Sequence, residues 1–264
     1  MSNQNIYDNQ IFFDGYRKLR GNPSSANDVV EKPALFRLAP DLNSKAVLDI
    51  GCGYGENCVQ FLKLGAEKVT GIDISAKMLE VAQNENTSPN IQYLNMSMTD
   101  LDKLTDKFDA VFSSLAVHYI EDFDKLANDV YNRLNQGGYF IFSQEHPLTT
   151  ALLTQDYWTL NAENEYVHYN LATYALEGER KVTWFVDGVV KYHRTISSIV
   201  NSLSRTGFMI EQMLEPIPSK DVMKQYPSYL RTIHKPDFLL IKAINGNLAK
   251  PEFDFALHTP TRPF

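Results

Sequence analysis

The sequence predicts an α/β protein whose single sheet is mostly parallel and flanked by helices. Between residues 45 and 145, short apolar runs alternate with segments whose apolar residues recur at helical spacing. Two strands joined by a helix pair in parallel, because the helix returns the chain to the end of the sheet where the first strand began. A glycine-rich turn also joins the first strand to the first helix, a place where open α/β sheets bind ligands.

Seven strands are expected, five in the alternating region and two near the C-terminus. Each of the first five is a short apolar run bounded by polar or turn-forming residues. The last two follow another helix and complete the sheet. The expected strands cover residues 46–50, 69–73, 91–95, 110–114, 139–143, 208–214 and 238–244.

Helices fill the gaps between these strands. Ser75 is an expected N-cap, because a serine side chain at that position accepts a hydrogen bond from the first helical turn. A later helix begins near Phe123 and carries its apolar residues through Leu134, and Gly137 and Gly138 are expected to end it. Two further helices are expected over residues 57–64 and 195–205.

We expect one domain, residues 1–264, with two segments that lie outside the alternating strands and helices. Residues 1–40 precede the first strand and form a helical segment with several aromatic side chains. Residues 148–194 follow the fifth strand and are rich in Tyr and Trp. Because Asp187-Gly188 separates two apolar runs, a hairpin turn is predicted there. Residues 148–194 are therefore predicted to be an inserted antiparallel lid.

The charge and the cysteines argue against several classes of protein. The 264-residue chain has a formal charge of −7, which opposes nucleic acids and anionic membranes because both are bound mainly through Lys and Arg. The start of the chain is polar and no run is long enough to span a bilayer, so a cytoplasmic location is expected. Cys52 and Cys58 form no metal or disulfide pattern, so no metal is predicted. Whether the chain forms a homodimer stays open.

The run VLDIGCGYGENCVQF carries the strongest chemical signal. Asp49 lies in the first strand, and Gly51, Gly53 and Gly55 alternate after it. Glycines allow positive φ and let a ligand approach the main chain, and the following helix offers unpaired N–H groups. A dinucleotide-binding loop would need its third glycine where Glu56 stands, which disfavours an NAD-dependent oxidoreductase. A carboxylate before the glycines also suits a ligand with an ammonium group better than a pyrophosphate.

The acid and its three alternating glycines resemble motif I of the class I S-adenosylmethionine-dependent methyltransferases, whose domain is Rossmann-like. This resemblance implies that S-adenosylmethionine is the cofactor and that the loop wraps its methionine part, with Cys52 as a small residue that fits there. It also implies that Asp73, at the end of the second strand, holds the ribose hydroxyls. A carboxylate can accept hydrogen bonds from two vicinal hydroxyls.

The same resemblance implies further cofactor contacts. Ile74 and Met78 would flank the adenine. After the third strand, where the family often has an acid, this chain has Ser97 and Met98. The methionine end would meet the backbone after the fourth strand and the N-terminal helix, through Ser114, Leu115, Tyr16 and Arg20, with Glu31 as a further candidate.

The acceptor is expected to be a small molecule of unknown identity. If a hydroxyl or an acidic carbon is methylated, a histidine near the methyl group can take the proton. The candidates are His118 after the fourth strand and His193 in the lid, although a buried histidine satisfied by hydrogen bonds is the alternative for each. Trp184 is expected to face the acceptor. A non-catalytic S-adenosylmethionine-binding regulator stays an alternative, and the acidity of the chain disfavours an RNA methyltransferase.

The role of Asp73 generates the first prediction. Replacing Asp73 with Ala should weaken S-adenosylmethionine binding by about 1.5 to 3 kcal/mol, the range for losing charge-assisted hydrogen bonds, and Asp73→Glu should be milder. Isothermal titration calorimetry measures both variants. An unchanged dissociation constant for Asp73→Ala would mean that the ribose binds elsewhere.

Overall fold

Eleven strands occur within residues 5–246, the part of the chain that the computed structural model describes. The predicted span of 1–264 thus includes residues 1–4 and 247–264, which lie outside the described residues. In chain order the strands are β1 (Ala46–Ile50), β2 (Lys68–Asp73), β3 (Ile91–Asn95), β4 (Phe108–Ser113), β5 (Leu134–Glu145), β6 (Trp158–Leu160), β7 (Tyr166–Tyr169), β8 (Gly178–Trp184), β9 (Val186–His193), β10 (Phe208–Leu214) and β11 (Phe238–Asn245).

Seven of these strands form one sheet in the order β10-β11-β5-β4-β1-β2-β3. Strands β1 to β5 pair in parallel, whereas β11 is antiparallel to both β5 and β10. The predicted mostly parallel, seven-stranded sheet is confirmed. Because the order reverses between β1 and β4, the loops that leave these two strands separate and open a crevice at the carboxyl edge of the sheet.

Eight α-helices accompany the strands within the described residues. Ser75 caps α4 as predicted, since its Oγ accepts a hydrogen bond from the Met78 N–H at 3.1 Å. None of the helices in this part of the chain is long and apolar enough to cross a bilayer. The helices are α1 (Gln10–Arg20), α2 (Lys32–Leu38), α3 (Glu56–Lys63), α4 (Ala76–Glu85), α5 (Phe123–Arg133), α6 (Pro147–Thr150), α7 (Ile196–Thr206) and α8 (Lys220–Gln225).

Apolar side chains fill both faces of the sheet. On one face, α5 and α7 bury Val130 and Leu203 with the sheet residue Phe140. On the other face, α2 and α3 cover the sheet, and the ring of Phe61 in α3 stacks on Phe112 of β4 with centroids 4.3 Å apart. Helices on both faces bury most of β1, β2 and β4, whereas the edge strand β3 is only partly buried, so a ligand can reach the sheet at its edges.

The junction between α5 and β5 differs from the prediction. The helix ends at Arg133, and Leu134 already belongs to β5, where it pairs with Phe108 and lies buried in the core. Gly137 does not end a helix. It takes a φ of +74° where the register between β4 and β5 shifts. Because Leu134 is buried in the core, β5 begins before the two glycines rather than after them.

The lid segment, residues 148–194, contains two antiparallel hairpins, β6–β7 and β8–β9. The turn predicted at Asp187-Gly188 is wrong. Trp184 pairs with Val186, so the turn lies at Phe185, whose φ is +60°. Asp187 and Gly188 lie inside β9.

Contacts of the hairpin tip with α1 explain this shifted turn. The ring of Phe185 packs edge-to-face on Phe12, with centroids 5.5 Å apart, and Trp184 does the same at 5.1 Å. A Cβ built on Gly15 would lie 2.7 Å from the Phe185 ring, so the glycine gives the ring its space. The ring contacts of Phe185 with α1 thus offset the strain of a positive φ in an aromatic residue, although the residue stays 41% exposed.

The stacked phenylalanines generate a stability prediction. Phe61→Ala should lower the free energy of unfolding by about 3 to 5 kcal/mol, because the truncation removes a fully buried ring and leaves a cavity. Urea unfolding followed by circular dichroism measures the loss. Ile11→Ala is the control and should change stability little, because Ile11 is 67% exposed. Equal effects of the two substitutions would contradict the packing described here.

Candidate active site

A cavity of about 500 Å³ lies at the carboxyl edge of the sheet. Its floor is formed where four strands end, by Gly51 and Gly53 after β1, Asp73 of β2, Ser114 after β4 and Glu145 of β5. Asp49 and the further candidate Glu31 do not line this cavity. All other residues predicted to contact the cofactor do: Tyr16, Arg20, Gly51, Cys52, Gly53, Asp73, Ile74, Met78, Ser97, Met98, Ser114 and Leu115.

The glycine loop is tied to the second strand by Asp73. The Gly53 N–H donates to Asp73 Oδ2 at 2.9 Å, and the Ser75 N–H donates to Oδ1 at 2.8 Å. Burial raises the pKa of Asp73, although these two hydrogen bonds oppose the shift. The bonds leave acceptor capacity on both oxygens, because a carboxylate oxygen accepts more than one hydrogen bond. Asp73 can therefore hold the loop and accept ribose hydroxyls at the same time.

The loop uses glycine at positions 51 and 53 for different reasons. A Cβ on Gly51 would lie 2.6 Å from the Cβ of Ala116, so this glycine allows the loops after β1 and β4 to pack together. A Cβ on Gly53 would meet no atom within 4 Å. Gly53 takes a φ of +53° beside open space in the cavity wall, where a ligand can lie against the main chain.

Asp49 does not face the cavity, so its predicted direct contact with an ammonium group is wrong. Its side chain is 1% exposed and lies toward α3, where the Cys58 Sγ donates to Oδ2 at 3.4 Å. Burial raises the pKa of Asp49 to about 7, and the nearby carboxylates of Asp73 and Glu31 add to the shift. Asp49 therefore supports the loop from behind, because side chains alternate along a strand and its neighbours Leu48 and Ile50 take the other face.

Buried polar atoms without partners mark the end of the cavity beneath α1. Arg20 bonds Glu56 through Nη2, but its Nη1 is buried and has no partner among the described residues. Glu31 is fully buried. Its Oε1 accepts from the hydroxyls of Ser114 at 2.9 Å and Ser143 at 2.5 Å, whereas its Oε2 has no partner in the described chain. Arg20 Nη1 is thus a free donor in the cavity wall, which fits a carboxylate such as that of the amino acid part of S-adenosylmethionine, whereas Glu31 lies behind Ser114, outside the lining.

The other end of the cavity contains His118. Its ring is 3% exposed and lies 4.3 Å from the ring of Tyr119, and Nδ1 has no hydrogen-bond partner among residues 5–246. Burial lowers the pKa of His118 to about 4; Glu145 opposes this shift, whereas Lys191 and Arg194 add to it. The imidazole is therefore neutral at pH 7 and can accept a hydrogen bond or a proton at Nδ1.

His193 does not reach the cavity, and its predicted catalytic position is wrong. The side chain is 0% exposed, and both ring nitrogens have partners. Nδ1 lies 2.8 Å from Thr150 Oγ1, and Nε2 lies 2.9 Å from the carbonyl oxygen of Tyr174. These bonds join β9 to α6 and to the chain before β8, so His193 is a satisfied structural histidine. Trp184, by contrast, lines the cavity, and its contact with the acceptor stays a prediction.

The sequence analysis did not identify Tyr7, Tyr119 and Glu145 as site residues. All three line the cavity, and the hydroxyl of Tyr7 donates a hydrogen bond to that of Tyr119 at 3.5 Å. Glu145 carries a detectable signal, because it is the last residue of a parallel strand, and ligands bind at that edge. Tyr7 carries none, because only the folding of α1 over the sheet brings it there.

Comparisons with known proteins agree with this geometry. A family model described as a methyltransferase domain matches residues 48–142. A crystal structure of a Listeria monocytogenes protein assigned to the S-adenosylmethionine-dependent methyltransferases shares 38% identity and superposes with a TM-score of 0.75, covering 81% of this chain and 96% of that one. The corresponding Mesorhizobium loti methyltransferase shares 36% identity with a TM-score of 0.74, covering 86% of this chain and 99% of the other.

The chain belongs to the class I S-adenosylmethionine-dependent methyltransferases. It is therefore an enzyme, and S-adenosylmethionine is its cofactor. An uncharacterised Haemophilus influenzae protein is also 39% identical over 244 residues, which cover 90% of this chain and 96% of that relative. A ribosomal protein L11 methyltransferase from Staphylococcus saprophyticus is 31% identical over 103 residues, 38% of this chain and 32% of that enzyme.

The open space beside Gly53 generates a prediction for this methyltransferase. Gly53→Val should abolish S-adenosylmethionine binding, because the branched side chain would fill the open space at the cavity wall where the methionine part is expected to lie. Gly137→Val is a matched control. Gly137 also has a positive φ, +74°, and open space at its Cβ, but it does not line the cavity. Calorimetry should show lost binding only for Gly53→Val, and similar affinities in the two variants would contradict the assignment.

Proposed function

We propose that this methyltransferase transfers the methyl group to a small molecule held between the sheet edge and the tip of the β8–β9 hairpin. The observation that carries the proposal is the cover over the acceptor end, where Trp184 of the hairpin meets Phe12 and Tyr16 of α1. A volume of about 500 Å³ lies in the range of sites for small ligands. A protein or RNA acceptor would need an open groove, and RNA would also meet a chain of formal charge −7.

The cofactor would lie along the floor of the cavity. Asp73 would accept hydrogen bonds from the ribose, and Arg20 Nη1 would donate to the carboxylate. S-adenosylmethionine supplies a methyl group already activated by its sulfonium. The other contacts would surround the adenine and the methionine chain: Ile74, Met78, Ser97 and Met98 for the adenine, and Gly51, Cys52, Gly53, Tyr16, Ser114 and Leu115 for the methionine part.

The side chains at the acceptor end would orient the nucleophile and exclude water. Tyr7, Tyr16 and Tyr119 form a wall of packed rings, with Tyr7 centroids 5.3 Å from Tyr16 and 6.2 Å from Tyr119. Burial raises the pKa of Tyr16 to about 12, so its phenol stays neutral and can donate a hydrogen bond. Rigid rings around the acceptor fix its position, which is the main requirement when the methyl group is already activated.

His118 is the residue that can receive the proton. Since its pKa is near 4, the imidazole is unprotonated throughout the neutral range and Nδ1 is free to accept the proton that a hydroxyl or an amine loses on methylation. A depressed pKa makes His118 a weak base. It would therefore act as the nucleophile attacks, when the acceptor proton becomes acidic, rather than by ionising the acceptor beforehand.

A screen of metabolites for release of S-adenosylhomocysteine tests the acceptor class, and His118 gives a residue-level prediction. With an acceptor found in the screen, His118→Asn should lower kcat by about 10²- to 10⁴-fold, the usual contribution of a general base. Its dissociation constant for S-adenosylmethionine should stay within about twofold. The wild-type rate should fall as the pH drops through about 4, because His118 then becomes protonated. His168→Asn, in an exposed part of the lid, should leave kcat unchanged.

Two results would contradict the proposal. If no small molecule is methylated while purified ribosomal protein L11 or RNA is, the acceptor class is wrong. If His118→Asn and His168→Asn have the same kcat with the true acceptor, His118 is not the proton acceptor.

A further inference from the structure

A smaller chamber of about 200 Å³ adjoins the active-site cavity. The two share Glu145 and Trp184 in their walls. The inner face of the β8–β9 hairpin forms one side of the chamber, with Arg180 and Lys191, and Thr149 of α6 forms part of the other. The chamber therefore extends the acceptor end of the active site behind Trp184.

Two cations stand directly opposite each other on this inner face. Arg180 of β8 pairs with Lys191 of β9 in the ladder, and the two residues are 5% and 7% exposed. Like charges that face each other across two strands are destabilising, the more so when buried. Glu145 neutralises one of them, since the Lys191 ammonium donates to its Oε1 at 2.5 Å.

Arg180 has no acidic partner within ion-pair distance among the described residues. Its guanidinium instead donates to main-chain carbonyl oxygens, which satisfy its hydrogen bonds but do not cancel its charge. Those carbonyls belong to Ala151, Leu176, Gly178 and Glu179. The side chain therefore contributes a buried positive field to the chamber without being a free donor.

A second group of charged residues behind Thr149 adds to the positive charge around the chamber. The Lys235 ammonium donates to Thr149 Oγ1 at 2.7 Å and to Asp237 Oδ1 at 3.0 Å. Asp237 also receives two hydrogen bonds from Arg231, at 2.7 and 2.8 Å. One carboxylate is thus shared by two cations. Around the chamber, buried cations outnumber carboxylates, although the whole chain is acidic.

We propose that the chamber binds an oxyanion, a carboxylate or phosphate group, that the methyl acceptor carries. This inference rests on the proposed function and specifies its substrate class. An ammonium can donate three hydrogen bonds, and Glu145 is the one acceptor that Lys191 has among the described residues, so Lys191 can donate to the anion. Arg180 supplies the attractive field. The reacting end of the acceptor then lies beyond Trp184, near His118.

Titration with inorganic phosphate, and separately with acetate, tests the chamber without any need for the acceptor. At constant ionic strength, with chloride as the reference anion, calorimetry should show saturable binding to the wild type. Lys191→Gln should weaken it about tenfold or more, the effect of losing one charge-assisted hydrogen bond. Lys181→Gln is the matched control. Lys181 lies on the same hairpin with its side chain 70% exposed, and its replacement should change nothing.

Glu145→Gln should have the opposite effect and tighten phosphate binding several-fold, because it removes the competing carboxylate from the chamber. A variant that merely unfolds cannot bind more tightly, so this arm stays informative if Lys191→Gln is unstable. Equal phosphate affinities in the wild type, Lys191→Gln and Glu145→Gln would overturn the proposal.

Steady-state kinetics with an acceptor then show whether the anion that the chamber binds is a group of the acceptor. Phosphate should raise the KM for the acceptor without changing kcat, and a methyl ester of the acceptor's anionic group should lose at least about tenfold in kcat/KM. Phosphate binding that leaves KM unchanged would overturn the link to the acceptor. If phosphate binds as expected but no small molecule is methylated, the anion site stands and the proposed function fails.

Discussion

The carboxylate of Asp73 joins three parts of the site at the carboxyl edge of the sheet. It accepts hydrogen bonds from Gly53 of the glycine loop and from Ser75 at the start of α4. Ser75 in turn donates its hydroxyl to Asp8, in the segment just before α1, at 2.6 Å. The glycine loop, the start of α4 and the N-terminal cover are therefore linked through one acid.

Charge is distributed unevenly between the two ends of the site. Near the glycine loop the carboxylates of Asp49, Asp73 and Glu31 all have raised pKa values, and desolvation is the largest cause for each. The proximity of Asp73 and Glu31 adds to the shift of Asp49. Such a cluster favours a cation, and S-adenosylmethionine carries a sulfonium and an ammonium. Behind the acceptor end, Arg180 and Lys191 give the opposite field. The site is thus complementary to a cationic cofactor at one end and an anionic acceptor group at the other.

The cover of the active site is assembled from two segments that lie far apart in sequence. Phe12 and Tyr16 of α1 pack against Trp184 and Phe185 at the tip of the β8–β9 hairpin. Neither segment covers its aromatic rings alone, so each stabilises the position of the other. Because both also line or border the cavity, exclusion of water and recognition of the acceptor depend on the same contacts.

Local sequence rules determined the order of strands and helices, the glycine loop and the position of Asp73, because periodicity, capping and glycine spacing act over a few residues. Only the tertiary structure decided which polar side chains reach the cavity. Asp49 satisfies the motif but lies toward Cys58, and His193 is held by Thr150 while His118 lines the site. Residues from distant elements fix the direction of these side chains, as the contact with Phe12 fixes the position of Phe185 at the turn. The direction and burial of a side chain depend on such contacts, which the spacing of residues along the chain does not contain.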